Sequence, residues 1–489
     1  MLARRPIFAP QARFQYRQRM AEEQLPAENP AAEPSRQPEA AAGEAAPLSA
    51  EELAAESARL RQQLVDQLKA RGLLHSEALE QALLRVPREL FLPDIAAREG
   101  LERIYTDEAI VTKRGSQGAP ISSSSAPSMM AIMLEQLDLR PGLRILEIGA
   151  GTGYNAALLA ELVGDPASIV TIDIEPDVVE QAKQRLANAG YGAITVLCAD
   201  GAEGVPHLAP FDRIELTVAA DDIAPAWTSQ LTPGGRLVLP LELHRQQRGQ
   251  VSLALVKREE HLESAAAAYA FFIPMRGDQA MSAGRAAPLS VVATHDTSHR
   301  WELHLYGAPL NGSADIRRDV LHLLSGPYQT RDLRLDGAAR DLLAYLELRY
   351  GEEETIYAWS ANALWGFDGW TAGVLVHPAR EQSNMPPFAP LSGRFSHQPG
   401  LALLRAATSS PDDAGLDQAI LYGSNNALRR LQSIIREWKR LKTPDLSALS
   451  VRVYPPGCAP TPAADEWLIT KRSAQLLLSF QPPSASAAG

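Results

Sequence analysis

Between Leu143 and Arg258 the chain alternates short continuous apolar runs with amphipathic stretches, and this alternation constrains its fold more than any other feature. The runs are RILEIG, SIVTIDI, AITVLCAD, FDRIELTVAA, GRLVLPLEL and VSLALVKR, separated by segments such as EPDVVEQAKQRLANAG. A strand that is apolar along its whole length must be covered on both faces, as in a mostly parallel sheet with helices above and below it. The expected fold class is α/β, with a Rossmann-like doubly wound sheet.

The flanks read differently. With 489 residues the chain exceeds one ordinary core and should divide into domains. Residues 1–50, rich beyond Ala21 in Ala, Pro, Glu and Gln, predict a disordered tail. Folding is expected to begin with a helix carrying Leu53, Leu60, Leu64 and Leu68 at helical spacing, with Ser49 and Glu52 as its capping box and Gly72 as its stop. A second helix, SEALEQALLRV, ends before Pro87. The α/β domain is expected over 51–260. After Glu260 the alternation stops, and 261–489 reads as a separate α+β domain, with RWELHLYG, LSVRVYP and EWLITKR as strands and DQAILYGSNNALRRLQSIIREWKRL as a helix.

A formal charge of −11 argues against nucleic acid and acidic membrane surfaces as partners. No apolar stretch reaches membrane-spanning length, and no signal peptide is evident. The two cysteines, Cys198 and Cys458, are too few for a disulfide scaffold, so a reducing, cytoplasmic location is expected. Cys198 reads as an inert core thiol. His295 and His299 lack a carboxylate to complete a metal site, and no metal is expected.

The chemistry concentrates in ILEIGAGTGYNAALLAEL. A strand runs into Gly149, Gly151 and Gly153 and then directly into a helix, so bare backbone can approach a ligand at the carboxyl edge of the sheet. A dinucleotide fingerprint would place a third glycine where Tyr154 stands, which disfavours a pyrophosphate. Glu147, just before the turn, suits a cationic ligand instead. Asp173 closes the next strand, where a carboxylate can accept both ribose hydroxyls. Asp200, followed by Gly201, closes the third strand and suits an adenine amino group. Each aspartate alone could be a helix cap. Three successive strand ends carrying such groups in order favour a nucleoside-bearing cation.

These residues, with PFDRIELTVAA and LTPGGRLVLP downstream, resemble the class I S-adenosylmethionine-dependent methyltransferases. The segments LVDQLKARGLLHSEALEQALLRVPRELFLP, YTDEAI and SSAPSMMAIMLEQLDLRPGLRILEIGAGTGYNAALLA resemble, in order and spacing, the protein-L-isoaspartate O-methyltransferases over about Leu64 to Arg258. The resemblance implies S-adenosyl-L-methionine as cofactor and a carboxyl O-methyltransferase acting on an aspartyl or isoaspartyl carboxylate of a protein or peptide. It places Ser125 at the methyl-transfer site, with Ser124 as second choice, on a serine-rich loop that serves as the active-site wall. It also matches Asp107 to an acidic position near the substrate loop.

The chain departs from that family in Ser128 after the Ser-Ala-Pro, in Asp221 and Asp222 after the fourth strand, where helix caps are expected, and in more than two hundred added C-terminal residues. That layout also resembles the enzymes that tailor ribosomally made peptides of lanthipeptide and graspetide type. The C-terminal domain would then select the peptide, with ALWGFDGW as an aromatic contact. A scaffold that binds cofactor without transfer, and a small-molecule methyltransferase, are further alternatives.

Overall fold

The computed structural model describes residues 49–116, 118–244, 250–277, 289–294, 300–306, 310, 314–333, 335–351, 355–360, 369–377, 398–405 and 418–480. The N-terminal tail to residue 48, the His295/His299 pair and most of ALWGFDGW lie outside the described residues. Two compact units are present, one holding residues 49–241 and 251–277 and the other the described residues of 242–250 and from 289 onward.

The first unit opens with α1 (Ala50–Ala70), capped as expected: Ser49 Oγ accepts from the Glu52 amide and Glu52 accepts from the Ser49 amide. Leu60, Leu64 and Leu68 are buried, but Leu53 is 43% exposed, so the apolar stripe begins two turns later than the sequence suggests. Helices α2 (Glu77–Arg85), α3 (Pro93–Glu99) and α4 (Leu101–Ile104) follow, and then a two-stranded antiparallel hairpin of β1 (Ile110–Arg114) and β2 (Pro120–Ser124). Ser122, Ser123 and Ser124 are therefore strand, and Ser125 alone of the run stays in the loop that leads to Pro127. Ile110 pairs with Ser124 and Val111 with Ser123, and β1 supplies the ladder partners that a serine-rich segment cannot specify by itself. Pro127 opens α5 (Pro127–Gln136), where its fixed φ and missing N–H suit the first helical position.

The parallel core follows as β3 (Ile145–Ile148), α6 (Tyr154–Val163), β4 (Ile169–Asp173), α7 (Pro176–Asn188), β5 (Thr195–Cys198), β6 (Phe211–Leu216), α8 (Pro225–Gln230), β7 (Leu231–Leu241), β8 (Gln250–Lys257) and β9 (Leu262–Ala270). Spatial order is β9-β8-β7-β6-β3-β4-β5. The pairs β3/β4, β3/β6, β4/β5 and β6/β7 are parallel, and β7/β8 is antiparallel. The order reverses at β3, so a crevice is expected at its carboxyl end. One apolar core joins Leu64 and Leu68 of α1, Phe91, Met133 of α5, Ile145, Leu158 of α6 and Leu186 of α7.

Three expectations change. Strand β9 and the segment through Gly277 belong to this unit, past the boundary read at Glu260. Cys198 is exposed, because it ends β5, the outermost strand of this unit's parallel set. Asp221 and Asp222 cap no helix: α8 has Ala224 at its N-cap with no side-chain bond, and Asp222 accepts from the amide of its neighbour Ile223 at 2.8 Å.

The second unit has an antiparallel seven-stranded sheet of β10 (Leu289–Thr294), β11 (Arg300–Tyr306), β12 (Tyr328–Asp332), β13 (Thr355–Ser360), β14 (Gly369–Val376), β15 (Gly400–Arg405) and β16 (Gln418–Gly423), in the order β10-β11-β13-β14-β15-β16-β12. Its helices are α9 (Ala314–Ser325), α10 (Ala339–Tyr350) and α11 (Asn425–Arg440), and β17 (Leu449–Tyr454), β18 (Glu466–Thr470) and β19 (Gln475–Phe480) form an antiparallel trio. The segment read as one helix from Asp417 divides at Gly423, the first part being β16 and only the second α11.

Candidate active site

A pocket opens at the carboxyl ends of β3, β4 and β6. Glycines make the turn after β3 possible. Gly149 has φ +111° and Gly151 φ +51°, both in the left-handed region that side chains disfavour, and a Cβ on Gly149 would collide with Thr217. The Thr217 hydroxyl instead donates to Gly149 O at 2.7 Å. Gly151 N donates to Asp173 Oδ2 at 3.2 Å, and Asp173 Oδ1 accepts from Glu175 N at 3.1 Å.

Ser124, Ser125, Glu147, Gly149, Gly151, Asp173 and Gly201 all line this pocket, so most of the predicted site comes together. Three predicted residues are absent from its wall. Gly153 is the N-cap of α6, with φ +87° and with Leu186 only 3.0 Å from where a Cβ would stand, so it serves helix packing. Asp200 accepts from Ala202 N at 2.9 Å and lies against Gly277. Asp107 accepts from the Ser128 amide at 2.8 Å and pairs with Arg71, holding the start of α5. Burial acts upward on its pKa, but the bonds from Ser128 and Arg71 outweigh it and hold Asp107 below the usual carboxylate value.

Two features escaped the sequence reading. The first is Arg88, in the VPRELFLP segment, which is fully buried behind the serine wall. Its Nη1 donates to Ile104 O at 2.7 Å, and its Nη2 donates to Ser125 O at 2.9 Å and Ser124 Oγ at 3.2 Å. No carboxylate pairs with it among the described residues. Burial pulls the guanidinium down to about 10, partly offset by Tyr154, Tyr105 and Asp107. The second is the strap that follows β9, from Phe272 to Arg276, which lines the pocket. Ala219 N donates to Ile273 O at 2.9 Å and Met275 N to Ala219 O at 2.8 Å. Arg276 pairs with Glu175, which also binds Lys113 at 2.6 Å. The Ala-rich sequence of β9 gave no alternation from which this could be read.

Beneath the glycine turn lie Glu147 and Glu215, respectively 0% and 1% exposed. Asn155 Nδ2 donates to Glu147 Oε1 and to Glu215 Oε2, both at 2.8 Å, and Thr171 Oγ1 donates to Glu147 Oε2 at 2.5 Å. Burial raises Glu147 to about 7 against the lowering bonds from Thr171 and Asn155, and burial with the charge of Glu147 raises Glu215 to about 8.

A glycine turn at a switch point, a carboxylate at the end of the neighbouring strand and an acceptor-rich floor define a class I S-adenosylmethionine-dependent methyltransferase. The family pattern described as Protein-L-isoaspartate(D-aspartate) O-methyltransferase (PCMT) matches residues 58–280. A protein-L-isoaspartate O-methyltransferase of Hyperthermus butylicus is 38% identical over 226 residues, 45% of this chain and 89% of that protein. One of Methanopyrus kandleri is 37% identical over 226 residues, 45% of this chain and 93% of that protein. A solved protein-L-isoaspartate O-methyltransferase matches over 80% of this chain and 96% of its own at 22% identity and a TM-score of 0.42. The chain belongs to the protein-L-isoaspartate O-methyltransferase family.

Its cofactor is S-adenosyl-L-methionine, and the donor set fits it. Glu147 and Glu215 lie on the floor, where Asn155 Oδ1 has no partner, as suits a cation. Asp173 offers carboxylate oxygens on the wall, and Ile174, Ala199 and Met275 supply apolar surface. No described helix is long and apolar enough to cross a membrane.

Proposed function

We propose that the enzyme transfers the cofactor's methyl group to the carboxylate of an aspartyl or isoaspartyl residue in a protein or peptide, forming a methyl ester, and that it does so in the cytoplasm. The observation that carries this reading is the serine wall, Ser124 and Ser125, on the same pocket as the glycine turn and Asp173. The bound cofactor supplies an electrophilic methyl group on a sulfonium. A carboxylate is already ionised at neutral pH, so its attack requires no general base. The chain's task is to hold the carboxylate in line and remove water from it.

Ser125 is assigned to orient the substrate carboxylate through its hydroxyl, a donor that leaves the charge in place. Ser124 shares the wall, but its Oγ already accepts from Arg88. Arg88 is a positioning residue: it ties Ser124 and Ser125 to the Ile104 carbonyl and adds positive potential behind the place assigned to the carboxylate. Asp107 acts at one remove, by fixing the start of α5 through Ser128. Asp173 is assigned to the ribose, Gly149 and Gly151 to close backbone approach, and Gly201 to the adenine side, with Asp200 supporting that side through Ala202 N. Residues 261–277 complete the methyltransferase domain, and the C-terminal unit is assigned to substrate recognition.

Ser125→Ala tests this directly. The expected result is a fall in kcat of about tenfold to a hundredfold, with S-adenosylmethionine affinity within about twofold of the parent. A parent-like kcat would remove Ser125 from the role.

A further inference from the structure

The parallel register places Thr171 of β4, Glu147 of β3 and Glu215 of β6 directly side by side. A sheet covered on both faces normally carries apolar residues at such positions. Here two carboxylates face the same helix, α6, and share one amide donor, Asn155 Nδ2. Adjacent strands lie about 4.8 Å apart, so two ionised carboxylates in register would repel strongly when both are buried, as Glu147 and Glu215 are.

The groups around the pair are these. Thr171 of β4 and Asn155 of α6 bond the pair, and Asp173 of β4, Tyr154 of α6, Met130 and Met133 of α5 and Arg276 of the strap line the same pocket. Val238 of β7 is the register neighbour of Glu215 on its other side. Asp173 adds negative charge that acts on Glu147, and Arg276 is occupied by Glu175. No cation therefore neutralises the pair among the described residues, and Asn155 Oδ1, lining the same pocket, is left without a donor.

We propose that Glu215, with Asn155 and Glu147, forms the floor that receives the ammonium group of S-adenosylmethionine, and that the two carboxylates share one proton until cofactor binding expels it. This inference rests on the cofactor reading of the pocket and not on the identity of the methyl acceptor. Without cofactor, one carboxyl keeps its O–H and the other is ionised, so the pair carries a single negative charge. When the ammonium arrives, its N–H groups donate to Asn155 Oδ1 and to the carboxylates. The O–H bond breaks, the electron pair stays on oxygen, and the proton passes to buffer. The positive charge takes the electrostatic place of the proton. The raised values of both carboxyls agree with a pair that is still partly protonated at neutral pH.

The test is calorimetry of S-adenosylmethionine binding to the full chain at pH 7 in two buffers of different ionisation enthalpy, beside Glu215→Gln. Gln keeps an acceptor for Asn155 but cannot lose a proton. The parent should release roughly half to one proton per cofactor, and its affinity should rise between pH 6 and 8 by up to about tenfold per pH unit more than that of the variant. The cofactor's own amine titrates alike in both experiments, so the difference belongs to the protein. Equal proton release and equal pH slopes in parent and variant would overturn the proposal.

A second measurement needs no cofactor. Carboxyls raised in the folded state favour folding while protonated, and this advantage is lost as pH climbs toward 8. The melting temperature of the parent should fall more steeply from pH 5 to 8 than that of Glu215→Gln, and parallel curves would contradict the shared proton. If neither protein binds cofactor at any pH, the cofactor reading itself fails, and the melting comparison still decides the proton pair.

Discussion

Arg88→Met removes the buried cation behind the serine wall, and its effect can be worked from the geometry. Burial of the guanidinium is unfavourable: a value lowered from 12.5 to about 10 corresponds to about 3 kcal/mol against the charged form. Two short bonds to carbonyls oppose this, at 2.7 Å to Ile104 and 2.9 Å to Ser125, together with the longer one to Ser124 Oγ. Bonds from a charged donor contribute about 1.5–3 kcal/mol each, so the arginine is roughly balanced or modestly stabilising in place. Methionine fills similar volume but leaves two carbonyls without a donor, at about 1–3 kcal/mol each. The net expectation is a loss of about 2–4 kcal/mol, measured by urea unfolding at pH 7. In the folded fraction, kcat should fall with the loosened wall, while cofactor affinity, assigned above to Asp173 and the glycine turn, should change little. Arg88→Lys keeps the charge but cannot span both carbonyls, so it should recover only part of the stability. A stability loss below about 0.5 kcal/mol together with parent-like kcat would refute the reasoning, because the bonds would then be holding nothing in place.

Other expectations follow from the same pocket. Asp173→Ala removes a wall carboxylate and the acceptor of Gly151 N; S-adenosylmethionine affinity should weaken about tenfold or more by calorimetry, and unchanged affinity would take Asp173 out of the ribose site. Gly153→Ala forces a side chain into positive φ against Leu186; stability should drop by about 1–2 kcal/mol with cofactor affinity nearly intact, whereas an affinity loss without a stability loss would return Gly153 to the ligand. Arg276→Ala unpins the strap from Glu175; stopped-flow measurements should show faster cofactor dissociation, and an unaltered rate would mean that the strap does not retain the ligand.

The parallel sheet was legible because its strands are apolar throughout and its helices amphipathic, a contrast that few other architectures produce. The glycine turn and Asp173 were legible because backbone conformation and strand ends leave marks at fixed positions. What was lost follows a physical pattern as well. Serines in β2 have no strand signature, and only the partner β1 makes them a ladder. Strand β9 is LESAAAAYA, too weakly patterned to separate from a linker, so nothing in the sequence marks the strap beyond it as part of the first compact unit. Cys198 follows an apolar run but closes an outer strand of its unit, where burial ends. Arg88 and Glu215 were passed over because a charged residue is ordinarily read as solvated. For Glu215 a signal was present: a glutamate inside the apolar run FDRIELTVAA, placed relative to its strand end as Glu147 is in ILEIG. Only the register between β3 and β6 turns that repetition into a pair.

The most direct test of carboxyl methylation is mass spectrometry of an isoaspartyl peptide incubated with the full chain and S-adenosylmethionine, beside the matched aspartyl peptide. The expected result is one methyl gain, located on the side-chain or main-chain carboxyl of the aspartyl-type residue and lost as methanol in mild alkali. No methyl gain on either peptide under conditions where calorimetry shows cofactor binding, or an alkali-stable methyl on another atom, would contradict it.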